Sequence, residues 1–259
     1  MASNESWKKI FNDYNILEHD FSKCPFEITA SQIKISCQDF RSTVQKEVRI
    51  LCKQDTRESR PEIFKENDLF LLPKKNGSYY IVKGEGYVDI PKITTEIENY
   101  KSKLDFKLES STIGDSEMQH LDLAYASSLV RTFMEDDSLL LTIRGRKYTP
   151  SFTFNVGNQK LSVESVQTEV DAGYEGRNKI VLIEAKNSDV TNTIIRQLYY
   201  PYRQWKQQTS KDVSLLFFDR DRNSDVYNIW QFKFKDENDY NSIKLVKSGR
   251  YRIIGPNSI

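Results

Sequence analysis

Proline and glycine are scarce in this chain of 259 residues, at 7 and 10 respectively. That leaves little room for flexible linkers and points to ordinary elements joined by short connections. No internal repeat and no low-complexity tract is visible. Long apolar runs are lacking too. The longest, Ser138–Ile143 and Leu69–Leu72, reach about four to six residues against the roughly 20 needed to cross a bilayer, so no membrane association is expected. The opening residues Met1 to Ile10 lack a basic segment followed by an apolar one. No secretory signal is therefore expected, and a cytoplasmic location is the default. Cysteine is limited to Cys24, Cys37 and Cys52, an odd number spread widely near the N-terminus, which fits free thiols better than a disulfide framework. With His19 they give H-x4-C-x12-C-x14-C, which lacks the paired C-x2-4-C of structural zinc sites. No charge sign dominates either, since 38 Lys and Arg stand against 37 Asp and Glu for a net +1. A near-zero sum does not decide for or against nucleic acid, because an acidic metal site cancels a basic groove, so the distribution must be read instead.

What is present is the material of a folded core: 38% of residues are hydrophobic and 12% aromatic. At this length one large domain or two small ones is expected, burying roughly three quarters of the unfolded surface. Two regions are expected, residues 1–110 and 111–259. The first opens with a helix over Ser6–Tyr14, where Ser6 can cap and Trp7, Ile10, Phe11 and Tyr14 recur at helical spacing. Helices are also expected around Ser31–Ile35 and Ser42–Lys53. On the latter, Val44, Val48 and Leu51 form an apolar stripe, and Lys46, Arg49 and Lys53 fall on a separate face. Asp68–Pro73 and Ser78–Lys83, joined by Lys75-Asn76-Gly77, predict a hairpin, because Asn-Gly supplies the positive φ of such turns. Tyr87–Ile93 adds a strand.

The second region begins with a long helix, Asp115–Met134. Strands over Ser138–Ile143, Ser151–Val156, Lys160–Asp171 and Asn178–Lys186 follow, separated by turns at Gly145, Gly157-Asn158 and Gly173–Gly176. Asn192–Gln208 is a helix bent at Pro201, and Asp212–Asp219, Val226–Lys235 and Ser242–Lys247 are strands. The order of elements gives an α/β or α+β layered domain with a mixed sheet flanked by helices.

The informative segment is Glu169-Val170-Asp171 followed by Ile180–Ile183 and Glu184-Ala185-Lys186. Glu184 and Lys186 alternate with Ala185, so on a strand both point one way, and hairpin pairing would bring the Asp171 carboxylate beside that of Glu184. Two crowded carboxylates at the edge of an apolar sheet repel each other unless a hard divalent cation such as Mg2+ lies between them. Such a cation binds phosphate oxygens and activates water, and a neighbouring lysine offsets charge developing on a phosphate. Asp, Glu and Lys so arranged suit phosphodiester hydrolysis.

Asp171 with Glu184-Ala185-Lys186 at the end of an apolar strand resembles the PD-(D/E)xK nuclease superfamily, and the surrounding elements over roughly residues 113–220 resemble its αβββαβ core. Within it, Gln197-Leu-Tyr-Tyr-Pro-Tyr202 and Gly145-Arg146…Phe152-Thr-Phe154 resemble type II restriction endonucleases. The resemblance implies Mg2+ ligands at Asp171 and Glu184 and a catalytic lysine at Lys186. Glu169 competes with Asp171 for the place of first acid, since alternation puts both on one face. Val170 stands where the family has proline. Glu117 resembles an extra helix-borne acid of some members, and Gln197 a helix glutamine of others.

Double-stranded DNA is the implied partner. Its candidate contacts are Lys46, Arg49 and Lys53, extended by Arg57 and Arg60, together with Arg144, Arg146 and Lys147 on the Gly145 turn. Arg196, Arg203 and Lys206 could share a helix face but fit a solvated surface as well. Tyr199, Tyr200, Tyr202 and Trp205 fit core packing better than base stacking, His120 fits a structural role, and His19 gives no signal. The expected activity is Mg2+-dependent, sequence-specific cleavage of duplex DNA leaving 5′-phosphate ends, by a homodimer if the target is palindromic. A structure-directed repair or junction nuclease, and a non-catalytic DNA-binding regulator on the same fold, stand as alternatives.

Overall fold

Trp7, Ile10 and Phe11 are all buried along one face of the first helix, α1 (Ser3–Asp13). The computed structural model describes residues 3–113, 116–186, 190–221 and 223–255. After α1 come β1 (Phe26–Thr29), α2 (Ala30–Ser36), the single turns α3 (Thr43–Lys46) and α4 (Val48–Leu51), α5 (Glu62–Glu66), and the hairpin β2 (Leu69–Lys75) and β3 (Ser78–Lys83). Thr29 caps α2 in a reciprocal capping box with Gln32. Gly77 takes φ +73° in the hairpin turn, as Asn-Gly predicts. The three strands pair in the order β1-β3-β2, and one face of this sheet meets the short helices around Trp7, Phe11 and Phe64.

Ser6 is inside α1 rather than capping it, and its hydroxyl donates to the Gln45 carbonyl at 2.6 Å. Ser42–Lys53 is not one helix. The Gln45 carbonyl is engaged from α1, and Glu47 is extended at φ −78°, ψ 112° between α3 and α4. Lys46, Arg49 and Lys53 therefore do not share a helical face.

The chain continues through β4 (Tyr87–Asp89) and β5 (Glu98–Lys101), then α6 (Glu117–Ala126) and α7 (Leu129–Phe133). The expected helix Asp115–Met134 is thus two. Ser128 is left-handed at φ +68°, and the Ser127 carbonyl accepts the Tyr100 hydroxyl at 3.0 Å and the Lys103 amide at 3.1 Å. Asp115 lies outside the described residues. Next are β6 (Leu140–Tyr148), the hairpin β7 (Phe152–Val156) and β8 (Gln159–Val163), β9 (Gln167–Glu175), β10 (Lys179–Lys186), β11 (Asn192–Ile194), α8 (Arg196–Gln208), β12 (Asp212–Asp221), β13 (Val226–Phe234) and β14 (Ile243–Ile254). Gly145 is not a turn between elements but an irregular point inside β6, so Arg144, Arg146 and Lys147 are strand residues. Lys160–Asp171 is broken at Ser165, which has φ +52°. Asn192–Ile194 is extended because it pairs with β4, and α8 starts only at Arg196 and runs through Pro201.

The fold is mixed α+β. Among the described residues its largest sheet has seven strands in the order β5-β14-β13-β12-β10-β9-β6, with β10 parallel to β12 and antiparallel to β9. Alternation along β10 sends Ile180 and Leu182 to the face covered by α8, and Val181, Ile183 and Ala185 to the face covered by α6 and α7. Residues 87–101, assigned to the first region by sequence, belong with the second: β4 pairs with β11, and β5 edges the large sheet beside β14. The two parts are joined tightly. The Asn192 side chain accepts the Arg57 amide and donates to Glu58, the Ile194 amide donates to the Asp55 carbonyl, and the Tyr200 hydroxyl donates to the Pro73 carbonyl. Among the described residues no helix is long and apolar enough to cross a membrane.

Candidate active site

β10 runs from the core to its polar end at Glu184 and Lys186, and β9 lies antiparallel beside it with Ala172 opposite Ile183. The ladder stops there, and the Ala185 amide instead donates to Asp171 Oδ2 at 2.8 Å. A bulge produces this arrangement. Gly145 pairs with Val170 and Ile143 with Gly173, so Asp171 and Ala172 together face the single residue Arg144. The extra residue re-aims the side chains around it, as bulges beside sites do. Strict alternation, which put Glu169 and Asp171 on one face, fails at this point. Gly173 is tightly placed, because a Cβ there would lie 2.7 Å from Ile143 Cβ.

Glu184 and Lys186 share a face and form an ion pair through Oε1 and Nζ. Glu184 is only 8% exposed. Burial, reinforced by the charge of Asp171 and opposed by Lys186, pushes its carboxyl up to about 7. Burial likewise raises Asp171, against the Ala185 amide and Lys186, which favour its charged form. Burial works against the charge on Lys186, yet Glu184, Asp171 and Glu117 outweigh it and raise the ammonium's pKa. Lys186 is thus held as a cation.

These groups line a cleft of ≈ 700 Å³ between the N-terminal part and the large sheet. Glu117 at the start of α6 and Gln197 in the first turn of α8 line it as well, and Gln197 accepts the Thr193 hydroxyl at 2.7 Å. Glu169 reaches the same cleft, but its carboxylate is exposed and 3.3 Å from the Arg146 guanidinium. Among the described residues no three His, Cys, Asp or Glu side chains group closely enough to hold a metal. Asp171, Glu184 and Glu169 therefore do not form one set.

Of the basic residues singled out by sequence, Arg49, Lys53 and Arg146 line the cleft, whereas Lys46, Arg144 and Lys147 are not among its lining. Arg144 is ion-paired to Asp122 on α6, and the Lys147 ammonium lies 6.0 Å from the Trp205 ring. Arg57 binds Glu85 and Asp89, Arg60 donates to the Leu69 carbonyl, and Arg203 is buried on the Tyr199 hydroxyl and two carbonyls, so these three hold the fold together. Tyr199, Tyr200 and Tyr202 are core residues, and Trp205 packs against that core. His120 meets Arg220, and His19 meets the Cys24 carbonyl. Sequence reasoning missed Lys75, Gln54, Asp55 and the full place of Arg196, which lines the cleft and lies 3.5 Å from Asp55. The adjacency of Arg196 to Gln197 was the available signal for the last; the others have none in the local pattern.

Fold and site together define an α+β protein with a partly buried acid pair and a lysine at the end of a central strand, in a cleft between two units. Residues 82–252 match the family described as Domain of unknown function (DUF6997), and the chain belongs to it. Residues 4–81 match Domain of unknown function (DUF6996), so the two matches meet within β3. No curated protein matches the chain, and no solved structure matches it.

Proposed function

We propose that the chain is a Mg2+-dependent endodeoxyribonuclease of the PD-(D/E)xK type, acting as a restriction endonuclease on double-stranded DNA and leaving 5′-phosphate ends. The observation that carries this is the convergence of Asp171, Glu184 and Lys186 on two neighbouring strands at the base of one cleft. Around it, α6 and α7, then β6, β9 and β10, then α8 and β12 follow in the order of an αβββαβ core, with the β7–β8 hairpin and the short β11 inserted. The donor set fits a hard cation: two carboxylates repel each other in a buried site, and Mg2+ asks for only one or two of them because it keeps several waters. Asp171 and Glu184 would hold it. When bound, the cation would polarise a phosphoryl oxygen and make water a better nucleophile.

The chain's own groups do the rest. Lys186, kept charged by Glu184, orients a water and offsets the negative charge that builds on the phosphate. The Ala185 amide fixes the Asp171 carboxylate, so the acid pair is positioned before any ligand arrives. A palindromic target calls for a twofold homodimer.

Long unmethylated phage DNA incubated with the purified protein and Mg2+, with EDTA and Lys186→Ala controls, tests the proposal on a gel. Discrete bands lost in both controls support it. A smear points to a structure-directed or nonspecific nuclease, and uncut DNA that still shifts in a binding assay points to a non-catalytic DNA-binding protein.

A further inference from the structure

The N-terminal side of the cleft carries cations that the fold does not use. Arg49 and Lys75 are exposed and take part in no ion pair among the described residues, and Lys53 has only a loose 3.8 Å contact with Asp55. Some basic side chains of the N-terminal part are engaged, as in Lys9 with Asp13, Lys74 with Glu27 and Arg57 with Asp89, while the other exposed ones, such as Lys34 and Lys46, lie outside the cleft. A second observation points to a ligand on this wall. Gln54 lines the cleft, is 2% exposed, and has both amide atoms buried with no partner among the described residues. Leaving such groups unpaired is costly, and a ligand or water reaching through the cleft would relieve that cost. The wall is also fixed in place. Asp55, next to Gln54, accepts the Ile194 amide at 2.8 Å and lies 3.5 Å from Arg196, and the Pro73 carbonyl accepts the Tyr200 hydroxyl at 2.9 Å.

We propose that Arg49, Lys53 and Lys75 grip the phosphate backbone of the strand lying over Asp171, Glu184 and Lys186, making the N-terminal unit a preformed backbone clamp. The inference rests on the nuclease reading above. An anionic strand is repelled by two carboxylates on the cleft floor, and three cations on the facing wall offset that repulsion where the strand must lie. Such contacts set position and affinity rather than sequence, because every phosphate presents the same oxygens. Arg196 is outside the grip, since Asp55 holds it.

The test is binding of a labelled mixed-sequence DNA duplex by the full chain in EDTA, followed by fluorescence anisotropy across a series of salt concentrations. The exposed triple variant Arg49→Ala/Lys53→Ala/Lys75→Ala is compared with wild type and with Lys34→Ala, an exposed lysine on α2 outside the cleft. The slope of log affinity against log salt should become shallower by about 2–3 in the triple variant, at roughly 0.9 per phosphate contact, and stay unchanged in Lys34→Ala. A triple variant that binds with the wild-type slope overturns the clamp while leaving the nuclease reading standing. A wild-type protein that neither binds nor cuts DNA overturns both.

Discussion

The Asp171 carboxylate on β9 accepts the backbone amide of Ala185 on β10 at 2.8 Å, beyond the last pair of their ladder. One acid thus closes the open end of the strand that carries the other acid and the lysine. Asp171→Ala should leave a buried amide unpaired and lower stability by about 1–3 kcal/mol, whereas Asp171→Asn, which keeps an acceptor, should cost less. Both should lack Mg2+-dependent cleavage. Urea unfolding of the two variants beside a cleavage assay checks this, and equal stability losses would show that the hydrogen bond does not matter.

Glu184 gives the metal-free protein a pH dependence. Its folded pKa, about 7, lies above the ordinary 4.5, so between these values the folded state binds more protons than the unfolded state. Stability from this group is full below pH 4.5 and is lost as pH rises through about 7. Glu184→Gln should remove that loss. Denaturant unfolding in EDTA at mildly acid and mildly alkaline pH measures it: the variant should gain on the wild type as pH rises, and a constant difference would contradict the burial argument.

Asn192 joins the two parts of the chain. Its Oδ1 accepts the Arg57 amide at 2.7 Å and its Nδ2 donates to Glu58 at 3.0 Å, a bond that holds the Glu58 carboxyl below its ordinary value. Asn192→Ala should destabilise the protein by about 1–3 kcal/mol, because the Arg57 amide loses its partner. The same variant should weaken DNA cleavage, since the cleft wall moves. Thermal unfolding with a parallel cleavage assay tests both parts.

The three thiols should differ sharply in reactivity. Cys24 is exposed, Cys37 is buried, and Cys52 is half-buried on the cleft wall, where burial still pushes its thiol up to about 12. An aromatic disulfide reagent at mildly alkaline pH should titrate one thiol in the folded protein and three after denaturation. Rapid reaction of Cys52 would mean that its raised pKa does not protect it, and rapid reaction of buried Cys37 would mean that the region around α1 opens readily.

Some of this protein was legible from neighbours in the chain. Asn76-Gly77 marked the β2–β3 hairpin, and the alternation of Glu184 and Lys186 after Ile180–Ile183 put both charges on one face, where they form an ion pair. Other features carry no local signature. Extended Glu47 splits an otherwise periodic helix beside the contact of the Ser6 hydroxyl with the Gln45 carbonyl, and left-handed Ser128, after the Ser127 carbonyl engaged by Tyr100, separates two others.

The sequence by itself determined the periodic elements and the turn chemistry, because propensity and alternation act between residues a few positions apart. Tertiary structure alone decided the bulge that turns Asp171 toward Ala185, the joining of residues 87–101 to the large sheet, and the meeting of Arg49, Lys53 and Lys75 with Glu184 across one cleft. Those depend on hydrogen bonds and packing between segments up to about a hundred or more residues apart, whose partners no local pattern can specify.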